Sequence, residues 1–183
     1  MPRLYLVRHG RASASFGEAH DPGLGELGRE QAEQVAAELA PKGPLPIVSS
    51  PLARARQTAL PLARMWKCEP VIEMAVAEVP SSSQDLAERA RWLGNFLASS
   101  WRDVAPELAR WREDAVAALS TIDEDTVIFS HFVVLNVAMG AAIGDDRVTV
   151  FSPDNCSVTI FENTGGRLSL IERGREAPLT KVN

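Results

Sequence analysis

Apolar residues in this chain come as short unbroken runs alternating with stretches of helical spacing. Leu4–Val7 is the first run, and it ends abruptly in Arg8-His9-Gly10, the pattern of a strand buried on both faces in a parallel sheet. A polar, glycine-containing loop follows, with Gly17 and the turn Asp21-Pro22-Gly23. From Glu26 the period changes: Leu27, Gln31, Val35 and Leu39 fall four apart and predict a helix, which Pro41-Lys42-Gly43-Pro44 stops. Ile47-Val48 predicts a second strand. Ser49-Ser50-Pro51 predicts the start of a helix, with a capping serine and proline in the first turn, running through Arg54 and Arg56 to Trp66 with a bend at Pro61.

Pro70-Val71-Ile72 predicts a third strand. The stretch from Pro80 to about residue 105, rich in Ser, Arg and Trp, reads as an insertion of helical pieces over one edge of the sheet. Leu108, Trp111, Val116, Leu119 and Ile122 form one stripe of a helix, Thr126–Phe129 a fourth strand, and the run from His131 to Ile143 an apolar helix. Val148–Phe151, Val158–Phe161 and Leu168–Ile171 predict closing strands, the last two joined by a Thr164-Gly165-Gly166 turn, with a loose tail from Glu176. Alternation of this kind predicts an α/β fold, a three-layer α/β/α sandwich, as one domain over residues 1–183.

Composition narrows the class without naming the chemistry. A chain of 183 residues with 45% hydrophobic and 23% charged residues has the make-up of an ordinary globular domain that buries roughly 70% of its unfolded surface. Its net charge of -5 argues against nucleic acid as a partner, so any phosphate is gripped locally. Cys68 and Cys156 fit neither a zinc-ligand spacing nor a disulfide framework. No apolar run approaches the ~18 residues of a membrane span, and Leu4–Val7 follows Met1 too closely for a signal peptide. The expectation is a cytoplasmic protein with no membrane partner.

Open α/β sheets place their sites beyond the carboxyl ends of the strands. The predicted first strand delivers Arg8, His9 and Gly10 there, the second Ser49, Ser50 and the helix carrying Arg54, and the fourth Ser130 and His131. Any one of these residues alone has a bland reading: a histidine satisfied by backbone, or an arginine on a solvated helix face. Together they make a coherent kit for phosphoryl transfer. Guanidinium forks match phosphate oxygens bidentately, one neutral imidazole attacks phosphorus, and a second donates to a non-bridging oxygen.

LYLVRHG, LGELGREQA (24–32), SSPLARARQTA (49–59), VIFSH (127–131) and DNCSVTIFE (154–162) resemble, in the same order, the histidine phosphatase superfamily, the phosphoglycerate-mutase-like group. The resemblance implies a mostly parallel central sheet, His9 as the nucleophile that becomes phosphohistidine, and Arg8, Arg54 and His131 as the phosphate pocket. It implies neither metal nor cofactor. The family's carboxylic acid lies on the loop after the third strand in an apolar-x-Glu setting. Val76-Ala77-Glu78 matches that better than Glu73, which abuts Val71-Ile72, so Glu78 is favoured as the acid and Glu73 is the alternative.

Several positions depart from the family pattern. Thr and then Asn commonly follow R-H-G; here Arg11-Ala12-Ser13-Ala14-Ser15 leaves Ser13 or Ser15 to supply a hydroxyl. Phe132 stands where a glycine usually follows the second histidine, and Gly25 where a threonine is common. The implied function is a metal-independent phosphomonoester hydrolase acting on a small-molecule phosphomonoester or a phosphoprotein, with the natural substrate and the oligomeric state open. A phosphoglycerate mutase is the alternative among enzymes, although the insertion lacks a long basic segment. A catalytically silent phosphate-binding domain is the other, although a binder has no need of a nucleophile.

Overall fold

A computed structural model describes residues 1–178. Six strands form one sheet in the order β3-β2-β4-β1-β5-β6: β1 (Arg3–Arg8), β2 (Ile47–Ser49), β3 (Val71–Ile72), β4 (Thr126–Ser130), β5 (Val158–Thr164) and β6 (Arg167–Glu172). The first four are parallel, and β5 and β6 add an antiparallel hairpin beside β1. Gly165 and Gly166, at φ 60° and 86°, make its two-residue turn, a backbone that side chains with a Cβ resist.

Alternation along β1 explains the layers. Leu4 and Leu6 point into a core shared with Leu119, Val134, Leu135 and Met139. Tyr5 and Val7 point the other way, toward Val35, Leu39, Ala59 and Leu62. One face of the sheet is therefore covered by α4 (Pro106–Ser120) and α5 (Phe132–Ile143), and the other by α1 (Glu26–Leu39) and α2 (Ala53–Trp66). The α/β/α sandwich expected from the alternation is present, with the middle strands apolar at Leu4–Val7 and at Val127–Phe129, where they are covered twice. β4 is buried at every position. Each fully buried Leu, Ile or Val there contributes about 1.5–3 kcal/mol over leaving it in water.

Four local expectations change. Helix α2 starts at Ala53, so Pro51 lies outside it, and Ser50 turns the chain by accepting from the Leu52 amide at 3.2 Å. Val148–Phe151 is not a strand. β1 is already paired on both sides, and the Val150 and Phe151 amides donate instead to Asn136 Oδ1 of α5, at 2.7 and 3.0 Å. The segment expected at a sheet edge carries α3 (Leu86–Leu97), and it packs Phe96 and the following Trp101 against Phe132, Val133 and Val137. It therefore sits by the amino end of α5, where the sheet's carboxyl ends open. The tail is pinned through Ala177, whose amide donates to the Ser152 carbonyl, and by Glu176 accepting from the Ser152 amide; the rest of it lies outside the described residues. No helix among the described residues is long and apolar enough to cross a membrane.

Candidate active site

Strand register brings the two histidines together. Arg8 pairs with Ser130 across the β1–β4 ladder, so His9 and His131 are the next residues beyond it, with ring centroids 5.1 Å apart. The His9 amide donates to the Ser130 carbonyl at 2.9 Å, and the Ser50 amide to the Phe129 carbonyl at 3.0 Å. Three strand ends thus converge as a fixed floor.

Gly10 explains the R-H-G triplet. A Cβ there would lie 2.6 Å from the Gly28 carbonyl oxygen, and a Cβ on Gly28 would collide with the Arg11 carbonyl. Two glycines let the chain after His9 press onto the first turn of α1. Thr58 of α2 completes the clamp: its hydroxyl accepts from the Gly10 amide at 2.9 Å and donates to the Arg54 carbonyl at 2.6 Å. Asn155 closes the other side by donating to the His9 carbonyl at 2.9 Å.

His9 has a defined tautomer. Its Nδ1 lies 2.7 Å from the Gly10 carbonyl, which can only accept, so Nδ1 carries the proton and Nε2 bears the lone pair. Arg54 Nε donates to that Nε2 at 3.2 Å. Burial, reinforced by the charges of Arg54 and Arg8, holds His9 well below the usual imidazole range. His131 is held down for the same first reason, then by Arg54, His9 and Arg8. Its Nε2 meets Ser50 Oγ at 2.7 Å, and its Nδ1 is buried with no hydrogen-bond partner among the described residues. The result is two neutral imidazoles beside two guanidiniums.

Arg8 is buried, donates from Nη1 to the Pro153 carbonyl at 2.8 Å, and lies 5.3 Å from the Phe132 ring centroid. Burial pulls it down to about 10, which still leaves it charged at neutral pH. Arg54 is likewise lowered by burial, and its Nη1 stands 3.9 Å from the Asp21 carboxylate.

Glu78 reaches the same cleft from the loop after β3. Its Oε1 accepts from the Val79 amide at 3.0 Å and its Oε2 from the Val133 amide at 3.4 Å. Burial raises its carboxyl despite those bonds and the nearby arginines, so it retains a proton to higher pH than a solvated glutamate. Glu73 instead caps a short 3-10 turn, accepting from the Ala75 amide at 2.9 Å, and is not among the residues lining the cleft.

The cleft over this floor is tight, with a cavity volume of about 30 Å³, and is lined by His9, Arg54 and Glu78. Ala12, Ala14, Phe16 and His20 supply the wall from the loop after β1. Ser13 and Ser15 do not supply it. The Ser13 amide is tied to the Gly23 carbonyl, while Ser15 gives its amide and side chain to Glu18. Every second residue of this loop, Ala12, Ala14 and Phe16, lines the cleft, and the serines between them do not. Sequence reasoning brought Ser50 to the strand ends without giving it a role, and missed Thr58, Asn155 and His20. Thr58 and Asn155 lie inside the quoted motifs, where their residue type was the available signal; His20 sits in a loop without periodicity and gave none.

The model of the histidine phosphatase superfamily (branch 1) matches residues 4–175. A bifunctional protein of Mycobacterium tuberculosis is 34% identical over 119 residues, covering 61% of this chain and 30% of that protein. The glucosyl-3-phosphoglycerate phosphatase of the same species is 32% identical over 120 residues, covering 63% and 50%. This chain therefore spans half or less of either relative. The crystal structure of an Entamoeba histolytica phosphoserine phosphatase with 3-phosphoglyceric acid superposes with a TM-score of 0.75 at 22% identity, covering 97% of this chain and 98% of that one. At that identity the likeness speaks for the fold.

Proposed function

Because this chain belongs to the histidine phosphatase superfamily, we propose that it is a phosphomonoester hydrolase working through a phosphohistidine on His9, without a metal. The observation that carries the reading is the tautomer of His9. Nδ1–H is fixed on the Gly10 carbonyl and Nε2 is free of a proton beside two buried arginines. An imidazole in that state is a nucleophile at neutral pH.

In the first half-reaction Arg8 and Arg54 neutralise the phosphoryl oxygens, Arg54 exchanging its hydrogen bond to His9 for one to phosphate. His131, held through Nε2 by Ser50, offers Nδ1 to a third oxygen. His9 Nε2 forms the N–P bond as the P–O bond breaks, and Glu78 passes its proton to the departing alkoxide. In the second half, Glu78 takes a proton from water as the oxygen attacks phosphorus, the N–P bond breaks, and inorganic phosphate leaves. The substrate is a small phosphomonoester, as the names of the relatives suggest. The reduced thiols Cys68 and Cys156 favour a cytoplasmic setting.

Rapid quenching during turnover of ³²P-labelled substrate tests this. Acid-labile, base-stable label is expected on wild-type protein and none on His9→Ala, with turnover unaffected by excess EDTA. Steady turnover by His9→Ala, or EDTA inhibition reversed by a divalent metal, would overturn the mechanism.

A further inference from the structure

The cleft changes character between its floor and its mouth. His9, Arg54 and Glu78 are engaged with the phosphoryl group and the leaving oxygen. Beyond them the lining is apolar: Phe16, Pro22, Leu93, Leu97, Phe132 and Val133, with three alanines of the loop after β1. His20 is the exception, and it is exposed at the rim.

These walls are preformed. Phe16 stacks on Trp92 with centroids 6.4 Å apart, and Trp92 stacks on Phe96 at 5.1 Å. The Arg89 guanidinium lies 4.1 Å from the Phe16 ring centroid. Arg89, Trp92 and Phe96 follow one face of α3, so that helix grips Phe16 and engages its own cation on the ring. Arg89 is not among the lining residues. Phe132 is fixed as well, because its ring backs the buried guanidinium of Arg8.

We propose that the alcohol this cleft accepts is uncharged and largely apolar, an aryl or benzyl-like group, rather than one bearing a second carboxylate or phosphate. The proposal rests on the hydrolase reading above and adds the substrate class. Beyond His9, His20 and Arg54 no lining residue is basic, and the Arg89 guanidinium, near enough to lower Arg54, is turned onto the Phe16 ring, so an anion set against Leu93, Leu97 and Phe132 gives up hydration for apolar contact. A flat ring at the mouth of the cleft is received by contact with Phe16 and Phe132.

Benzyl phosphate and 4-carboxybenzyl phosphate make the test pair. Their alcohols have nearly equal acidity, and they share one phosphoenzyme, so kcat/KM isolates recognition up to phosphorylation. Benzyl phosphate is expected to have the higher kcat/KM by at least about 100-fold, near 2.7 kcal/mol at 1.36 kcal/mol per decade. Ala19→Arg places a cation on the wall and should narrow that ratio by about tenfold or more. A wild-type ratio near one, or a reversed one, overturns the substrate class and leaves the hydrolase intact. A ratio unchanged by Ala19→Arg overturns the assignment of selectivity to this wall. Hydrolysis of neither ester, nor of p-nitrophenyl phosphate, overturns the hydrolase reading and this inference with it.

Discussion

Lowering the pH from 7.5 to 5.5 should cost this fold up to about 2.7 kcal/mol through His9 and His131 alone. Burial and the guanidiniums of Arg54 and Arg8 hold both imidazoles well below 6.5 when folded. In the unfolded chain each titrates near its ordinary value of about 6.5. With both neutral in the fold, protonation stabilises the unfolded chain by RT ln(1 + 10^(6.5−pH)) per histidine. That is about 0.06 kcal/mol at pH 7.5 and about 1.4 kcal/mol at pH 5.5. The unfolded state binds more protons across this window, so stability rises with pH and is lost as pH falls below 6.5. Glu78 acts with the opposite sign: its raised carboxyl favours the fold as pH drops through its folded value. Comparison with variants separates the two effects. Urea unfolding followed by tryptophan fluorescence at both pH values, on wild type, His9→Gln and His131→Gln, gives the required free energies. Each variant should lose less than wild type over the window, by up to about 1.4 kcal/mol. Equal pH dependence in all three proteins would refute the assignment of two buried neutral histidines.

Further outcomes follow from single contacts. Arg54→Ala should lower turnover on phosphomonoesters at least about 100-fold, near 3 kcal/mol, with Lys restoring little because it lacks the fork; near-normal kinetics with unchanged phosphate affinity would remove Arg54 from the site. Glu78→Gln should slow single-turnover phosphorylation by alkyl esters about 10²–10⁴-fold and by p-nitrophenyl phosphate far less, since nitrophenolate leaves without a proton. Glu73→Gln should change both substrates little and equally; the reverse pattern would move the acid to Glu73. Gly28→Ala drives a Cβ into the Arg11 carbonyl, and should cost about 2 kcal/mol in urea unfolding and lower kcat with it, as the loop after His9 is displaced. Wild-type stability and kcat in that variant would show that the loop does not need the close approach.

Element order, the three layers and the floor of the candidate site were legible along the chain. A strand covered on both faces must be apolar without interruption, as Leu4–Val7 of β1 and Val127–Phe129 of β4 are; the polar residues at their carboxyl ends then mark where the covering stops. Arg8, His9, Arg54 and His131 were found for that reason, and resemblance added Glu78. The sequence pattern was silent wherever the deciding partner was distant. Val148–Phe151 has the composition of a strand, yet Asn136 takes its amides and β1 has no free side. Alternation in the 11–15 loop turns alanines rather than serines to the cleft, a choice made by contacts with Gly23 and Glu18. Glu78 meets the Val133 amide across 55 residues of chain, and Asn155 meets the His9 carbonyl across 146. Periodicity records how deeply a residue is buried, because burial acts on each position separately. Which groups meet depends on the order of strands in the sheet, and that order exists only once the chain has folded.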